Sequence, residues 1–266
     1  MAASSVSLPR GTGQAGRLLR RGAIAAVCLA GLTQAWVVVG VRPEEVLSGF
    51  GGVLDLLRRG VPPDTSVLGS ALGDALVTLD VAIIGTAVPV PLSLLLAFWA
   101  AHNVTPGGAW YGVARSVIAV CRVVPDIIWG LLFVAAVGLG PFAATIGLAV
   151  HSVGILGRLY GEAIEDVEQA HLDALTAIGA NRVQVASHAV LPALLPQLTG
   201  LTLYRMDTNV RSSLVLGFVG GGGLGLGIQT AINLFQYQRL LTYLLVMGAL
   251  VGAVEVVAVV LRRRMQ

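Results

Sequence analysis

The chain has no lysine. All 17 basic residues among its 266 are arginine, which, with 34 glycines and heavy use of alanine, valine and leucine, points to a GC-rich bacterial coding bias rather than to a demand for guanidinium chemistry as such. Charge of either sign is scarce: charged residues make up 12% of the chain and hydrophobic ones 56%. Soluble domains carry roughly twice that share of charge, so an integral membrane protein is expected. The two cysteines, Cys28 and Cys121, lie in apolar runs where a free thiol acts as a small hydrophobe, and neither a disulfide framework nor a metal site is indicated. The net charge of +3 is small and dispersed, which leaves nucleic-acid binding without support. His102, His151, His171 and His188 show no close ligand spacing, and no Ser, His and Asp arrangement suggests nucleophilic catalysis. No active site, metal or cofactor is expected on the chain. It shows no repeat of fixed period and no low-complexity linker, so residues 1–266 are expected to form one membrane domain.

What the sequence does have is long apolar runs. At about 20 residues per crossing, about six spans are expected: Ala23–Val41, Leu76–Ala100, Tyr111–Val137, Ala143–Tyr160, Val190–Leu216 and Leu240–Leu261, the third and fifth being the least regular. The first run continues through "WVVVGV" past any small-residue cleavage point, which favours a span over a signal peptide. Arg10, Arg17, Arg20 and Arg21 precede the first span, and Arg262, Arg263 and Arg264 follow the last. By the positive-inside rule both termini are cytoplasmic, residues 1–22 forming a basic cytoplasmic arm. Residues 42–74 are too polar to cross. Val46, Phe50, Val53, Leu54 and Leu57 recur there at helical spacing, so an amphipathic helix along the outer interface, ended by Pro62 and Pro63, is expected.

The segment "HLDALTAIGANRVQVASHAVLPALLP", His171 to Pro196, falls on the cytoplasmic side of this topology. Leu172, Leu175 and Ile178 form one apolar stripe, Gly179 can supply a left-handed turn, and Pro192 restarts a helix. A protruding elbow over 170–192 is the expected result. Its order, an acid and Ala, four residues, Gly, then a run ending in Leu-Pro, resembles the "EAA" coupling loop of permease subunits of bacterial ABC importers. Asp173, Ala174, Gly179, Leu191 and Pro192 fall on the marked positions. Asp173 stands for the commoner Glu, Leu175 for the second Ala and Ala189 for an Ile or Val; the first keeps the charge and the others soften the match.

Three further stretches, "RVVPDIIWGLLFVAAVGLGPFA", "HSVGILGRLYGEAIEDV" and "YRMDTNVRSSLVLGFVGGGGLG", make the chain similar to the phosphonate-type permeases, from Pro62 to about Leu245. The resemblance implies an all-α type I ABC importer permease core, like that of methionine-importer permeases, in the bacterial plasma membrane. It also implies a second copy of the chain, an ATPase dimer below that alone uses ATP and magnesium, an extracytoplasmic binding protein above, and a phosphorus oxyanion as cargo. In such a protein Asp173, Ala174 and Gly179 would form the docking helix and its hinge, with Asp173 and Arg182 placed to pair with charges in the ATPase groove.

Ionised groups at bilayer depth cost about 2.5 to 3.5 kcal/mol each, and the fifth span holds Arg205, Asp207 and Arg211. Asp207 and Arg211 are spaced i,i+4 with the acid first, the favourable order for a pair. Arg205, Thr208, Asn209 and Ser212 fall on a nearly opposite face. Arg205 is therefore expected to meet an anion while Arg211 mainly neutralises Asp207. Arg122 and Asp126 repeat the spacing, base first, around Pro125, where a kink is expected. Arg122, Arg205, Asn209, Arg211 and Ser212 are the candidate substrate path, because guanidinium forks suit tetrahedral oxyanions and a twofold dimer would present each twice. Asp126 and Asp207 are candidate structural counter-charges. "GGGGLGLG", Gly220 to Gly227, matches G-x-G-x-x-G but follows a membrane helix rather than a strand, so it is no nucleotide loop. Gly220, Gly221, Gly222 and Gly223 are expected to form an external gate. The competing reading is a self-sufficient secondary anion transporter, which predicts inverted repeats that the sequence does not display.

Overall fold

A computed structural model of the protein describes residues 12–40, 42–105, 107–167, 177, 179–181, 184 and 186–265. Among these, every regular element is helical. The chain divides into two units, one through Asp55 and one from Leu56 onward.

The first unit holds α1 (Thr12–Val39), whose stretch Leu18–Val39 is long and apolar enough to cross a membrane. Next comes α2 (Pro43–Gly60), which starts on a proline with Glu44 and Glu45 in its first turn and ends on Arg58 and Arg59. All of these suit the helix dipole. Phe50, Val53, Leu54 and Leu57 of α2 are exposed.

The second unit opens where the Asp64 carboxylate accepts the backbone N–H of Ser66 at 2.9 Å and caps a short turn, Thr65–Val67. That turn runs into α3 (Leu68–Ala87) and α4 (Pro89–Ala100), an apolar stretch of 36 residues from Thr65 that begins earlier than the expected span. Helices α5 (Gly108–Val123) and α6 (Asp126–Val137) meet at 87°. The cause is local. Val124 is extended, as a residue before proline must be, and Pro125 has no N–H to continue the helix. The central element is α7 (Pro141–Glu165), which packs against α3, α4, α5 and α6. A π-helical turn, Ala186–Val190, leads into α8 (Leu191–Leu216), with Pro192 in its first turn as the sequence suggests. A second π-type turn, Gly217–Gly221, breaks the span before α9 (Gly223–Asn233) at 56°, and α10 (Tyr237–Met265) closes the chain. Among the described residues four helical stretches could cross a membrane, or up to six if each bent pair counts as one crossing. The two bent pairs coincide with the two irregular spans of the sequence.

Small residues set the close crossings. A Cβ on Gly147 would lie 2.6 Å from the Gly130 nitrogen, and one on Gly154 would lie 2.5 Å from the Arg122 nitrogen, so α7 meets the α5–α6 break backbone to backbone. At one end of the unit Ala97, Leu156, Tyr160, Ile164, Val190 and Leu194 form a core that joins the end of α4, the end of α7 and the start of α8. At the other end Ala71, Leu214, Leu224, Ile228, Leu240 and Tyr243 tie α3, α8, α9 and α10. Buried between these caps lies a polar layer.

Candidate functional site

That layer sits where α3, α7 and α8 cross. Arg205 is 4% exposed and donates from Nε to the Ser152 hydroxyl at 3.0 Å. The same hydroxyl accepts from Nδ2 of Asn209, also at 3.0 Å, and Asn209 further donates to Thr86 Oγ1 at 2.7 Å. Asn209 and Ser152 are fully enclosed. Arg205 Nη2 and Asn209 Oδ1 are buried with no hydrogen-bond partner, so the network is not saturated. Among the described residues Arg205 forms no ion pair, because Asp207 is taken by Arg211. His151, on the same turn of α7 as Ser152, lies 3.0 Å from the Val124 carbonyl, which the break at Pro125 withdraws from helical pairing.

The two arginines of α8 lie in different surroundings. Arg211 bonds Asp207 at 2.9 and 3.1 Å, as the i,i+4 spacing implies, but its side chain is 49% exposed while that of Asp207 is 11% exposed. Arg205 is the interior guanidinium. Ser212 is half-buried beside Arg211. Hence the bundle interior takes Arg205 and Asn209, while Arg211 and Ser212 reach its surface. Arg122 and Asp126 are not paired: the 87° break removes the helical geometry that would bring them together, and among the described residues Arg122 has no ion pair. Its Nε is buried without a partner.

The glycine run is compact. Gly220, Gly222 and Gly223 have φ of 97°, 77° and 64°, conformations that strain any side chain. A Cβ on Gly225 would lie 2.1 Å from the Leu214 carbonyl, and one on Gly223 would lie 2.4 Å from Thr78 Oγ1. Thr78 in turn accepts the Leu224 N–H at 2.9 Å and fastens the turn to α3. Gly221 and Gly223 are buried, so the run is a packed break between helices rather than a loose loop.

In the coupling segment, Asp173, Ala174 and Arg182 lie outside the described residues, and Gly179, Leu191 and Pro192 lie within them. Gly179 has φ of 90°, the left-handed turn that its position suggests. Beyond it, Asn181 and Gln184 exchange hydrogen bonds, Gln184 N–H to Asn181 Oδ1 at 2.9 Å and Asn181 N–H to Gln184 Oε1 at 2.8 Å. This is a reciprocal capping box. Its N-x-x-Q spacing is legible in the sequence, whereas Ser152 and Thr86, small hydroxyls in apolar helices, carry no comparable signal.

The chain belongs to the family of binding-protein-dependent transport system inner membrane components, whose model matches residues 93–266, and so to the membrane transport proteins. It is 39% identical over 232 residues to the phosphite transport system permease protein PtxC of Stutzerimonas stutzeri, covering 87% of this chain and 84% of that one. It is 37% identical to the phosphate-import permease protein PhnE of Mycolicibacterium smegmatis, covering 87% of this chain and 43% of that longer one. Its fold resembles a chain of the MetNI methionine ABC transporter in an inward-facing conformation, with a TM-score of 0.62 at 22% identity over 76% of this chain and 97% of that one. The all-α, methionine-importer-like core and the phosphonate-type resemblance both hold. The protein is a multi-pass inner-membrane transport component, and its family is not one of enzymes.

Proposed function

We propose that the protein is the permease subunit of an ABC importer for phosphorus oxyanions of the phosphate, phosphite and phosphonate class. It works as a homodimer with both termini in the cytoplasm, takes cargo from an extracytoplasmic binding protein and is driven by a separate ATPase dimer. Kinship with PtxC and PhnE is the observation that carries the reading. Guanidinium groups at bundle depth support it, because their planar forks match tetrahedral oxyanions.

In this reading the path between the two copies is lined by Arg211 and Ser212 on the surface of α8 and by Arg122 at the α5–α6 break. Arg205 and Asn209 stand behind them and become accessible only as the helices shift. Asp126 and Asp207 hold down the cost of these cations. Asp173, Ala174, Gly179 and Arg182 dock on the ATPase, and Leu191 and Pro192 pass the motion into α8. The tight turn at Gly220, Gly221, Gly222 and Gly223 is the external gate, and its packing against α3 lets it transmit a tilt rather than flap.

Two experiments test this. In proteoliposomes that hold the permease, its genomic-neighbour ATPase and its binding protein, ATP should drive uptake of at least one of phosphate, phosphite and methylphosphonate. Gly179→Pro, or Asp173→Arg with Ala174→Trp, should abolish that uptake and the co-purification of the ATPase while the chain remains in the membrane. Normal uptake by both variants refutes the coupling assignment. Cysteines at Thr65 and Gly222 should react with an impermeant reagent from outside intact cells, and one at Asn181 only after permeabilisation. Outside labelling of Asn181 reverses the topology.

A further inference from the structure

A cavity of about 430 Å³ opens between α4, α5 and α7 and shares no lining residue with the network around Arg205. Its walls carry three arginines: Arg115 and Arg122 from α5, and Arg158 from α7. Ala119, Gly157 and Gly161 keep the space between them open. Arg115 and Arg122 are seven residues apart, so they project from one face of α5 about 10 Å apart along its axis. The cavity lies toward the end of the bundle from which the coupling segment leaves α7, since Arg115 reaches Glu165, the last residue of that helix.

The three guanidiniums are not equivalent. Arg115 donates to Glu165 at 2.8 Å and to the Ala100 carbonyl at 3.1 Å, and it stacks 4.6 Å over the Tyr111 ring. Arg158 is held by Glu162, one turn further on. Arg122 alone of the three has no ion pair among the described residues, and its buried Nε has no acceptor. Its backbone is pinned against Gly154, so the side chain cannot be withdrawn by a small helix shift. With Glu162 and Glu165 counted, the three arginines leave one uncompensated positive charge, and it resides on Arg122, a planar fork that lines a space able to hold more than one water molecule.

We propose that this cavity is a low-affinity release site for a tetrahedral phosphorus oxyanion, with Arg122 as its principal contact and with Arg115 and Arg158 supplying the surrounding field. The proposal rests on the transport reading above and adds the place where cargo pauses on the coupling-segment side. Glu162 and Glu165 keep the site weak, as a release site must be, because a conducting path needs binding that is favourable but readily reversed. The same chemistry occurs in a phospholipid headgroup, so the test separates the two sources.

The permease–ATPase complex is placed in phosphatidylcholine nanodiscs without the binding protein, and Ala119→Cys serves as a reporter in a Cys28→Ala, Cys121→Ala background. The rate of its reaction with N-ethylmaleimide is measured in phosphate, phosphite, methylphosphonate or sulfate at matched ionic strength. A phosphorus oxyanion at about twice its Kd should slow labelling about threefold. Arg122→Gln should remove the protection, and Arg122→Lys, which keeps the charge and loses the fork, should weaken it. Full protection in Arg122→Lys overturns the assignment to the fork and answers the case in which Arg122→Gln does not assemble. Labelling unaffected by all three anions, in a complex whose proteoliposomes take one of them up, overturns the site and leaves the transport reading standing. Protection that appears only when phosphatidylglycerol is added to the discs assigns the cavity to lipid and overturns it as well. If proteoliposomes containing the binding protein take up none of the three anions, the transport reading fails and this ligand assignment fails with it.

Discussion

Gly154→Ala tests whether backbone contact at the α5–α7 crossing holds the break at Pro125 in place. An ideal Cβ at Gly154 lies 2.5 Å from the Arg122 nitrogen and 2.8 Å from the Cys121 carbonyl carbon, both backbone atoms of the last turn of α5. Ordinary carbon contacts begin near 3.5 Å, so the two helices must separate by about 1 Å or the turn must deform. Gly161, two turns along the same helix, is the internal control, because a Cβ there meets nothing closer than 3.8 Å. Both substitutions gain the same helix propensity, about 1 kcal/mol relative to glycine, and that gain cancels in the comparison. What remains is overpacking, about 1 to 3 kcal/mol. Gly157→Ala should fall between, since its Cβ would press at 3.0 Å on the side chain of Ile118, which can yield. Size-exclusion melting curves of the three variants in one detergent give the order, with Gly154→Ala the least stable. Equal midpoints for Gly154→Ala and Gly161→Ala would refute the reasoning and show that the crossing is not set by backbone contact.

Arg205→Met removes a buried hydrogen bond from a charged donor to Ser152, a loss of about 1.5 to 3 kcal/mol. Arg211→Gln removes the charge of a half-exposed partner but leaves an amide N–H that can still donate to the mostly buried Asp207, a smaller loss. The melting midpoint should therefore fall further for Arg205→Met, and the reverse order in the same detergent would mean that Arg211 is the enclosed partner in the assembled protein. Outside the membrane, the Asp64 carboxyl is held below the ordinary aspartate value of about 3.9 by the hydroxyl and N–H of Ser66 and, less strongly, by Arg239. A depressed folded value stabilises the fold above that ordinary value and loses its effect as pH falls through it. The difference in midpoint between the parent and Asp64→Asn should thus be constant from neutrality to pH 5 and shrink below about pH 4; a change between pH 7 and 6 would contradict the assignment.

The sequence by itself determined the class of this protein, where most of its apolar spans lie and the break at Pro125. Charge so scarce and apolar runs so long leave no soluble alternative, and a bilayer requires every crossing backbone to bond internally, so helix follows directly from hydropathy. Pro125 marked the break between α5 and α6 because it acts on its own backbone through a missing N–H, whereas the glycines read as an external gate form a second, packed break at positive φ. The Asp207–Arg211 pair was legible for the same reason, since it closes within one turn of one helix.

Only the tertiary structure decided which polar groups meet. Helical spacing put Arg205, Asn209 and Ser212 on one face of α8, but nothing within α8 states whether that face looks at Ser152 and Thr86 or at open space. The spacing of Arg122 and Asp126 suggested a pair, and a bend of 87° between their helices left the two apart. Contacts between helices depend on which small residues let two backbones approach. At Gly147 and Gly154 that choice is made jointly by α7 and the helix break it touches, so it belongs to neither segment alone.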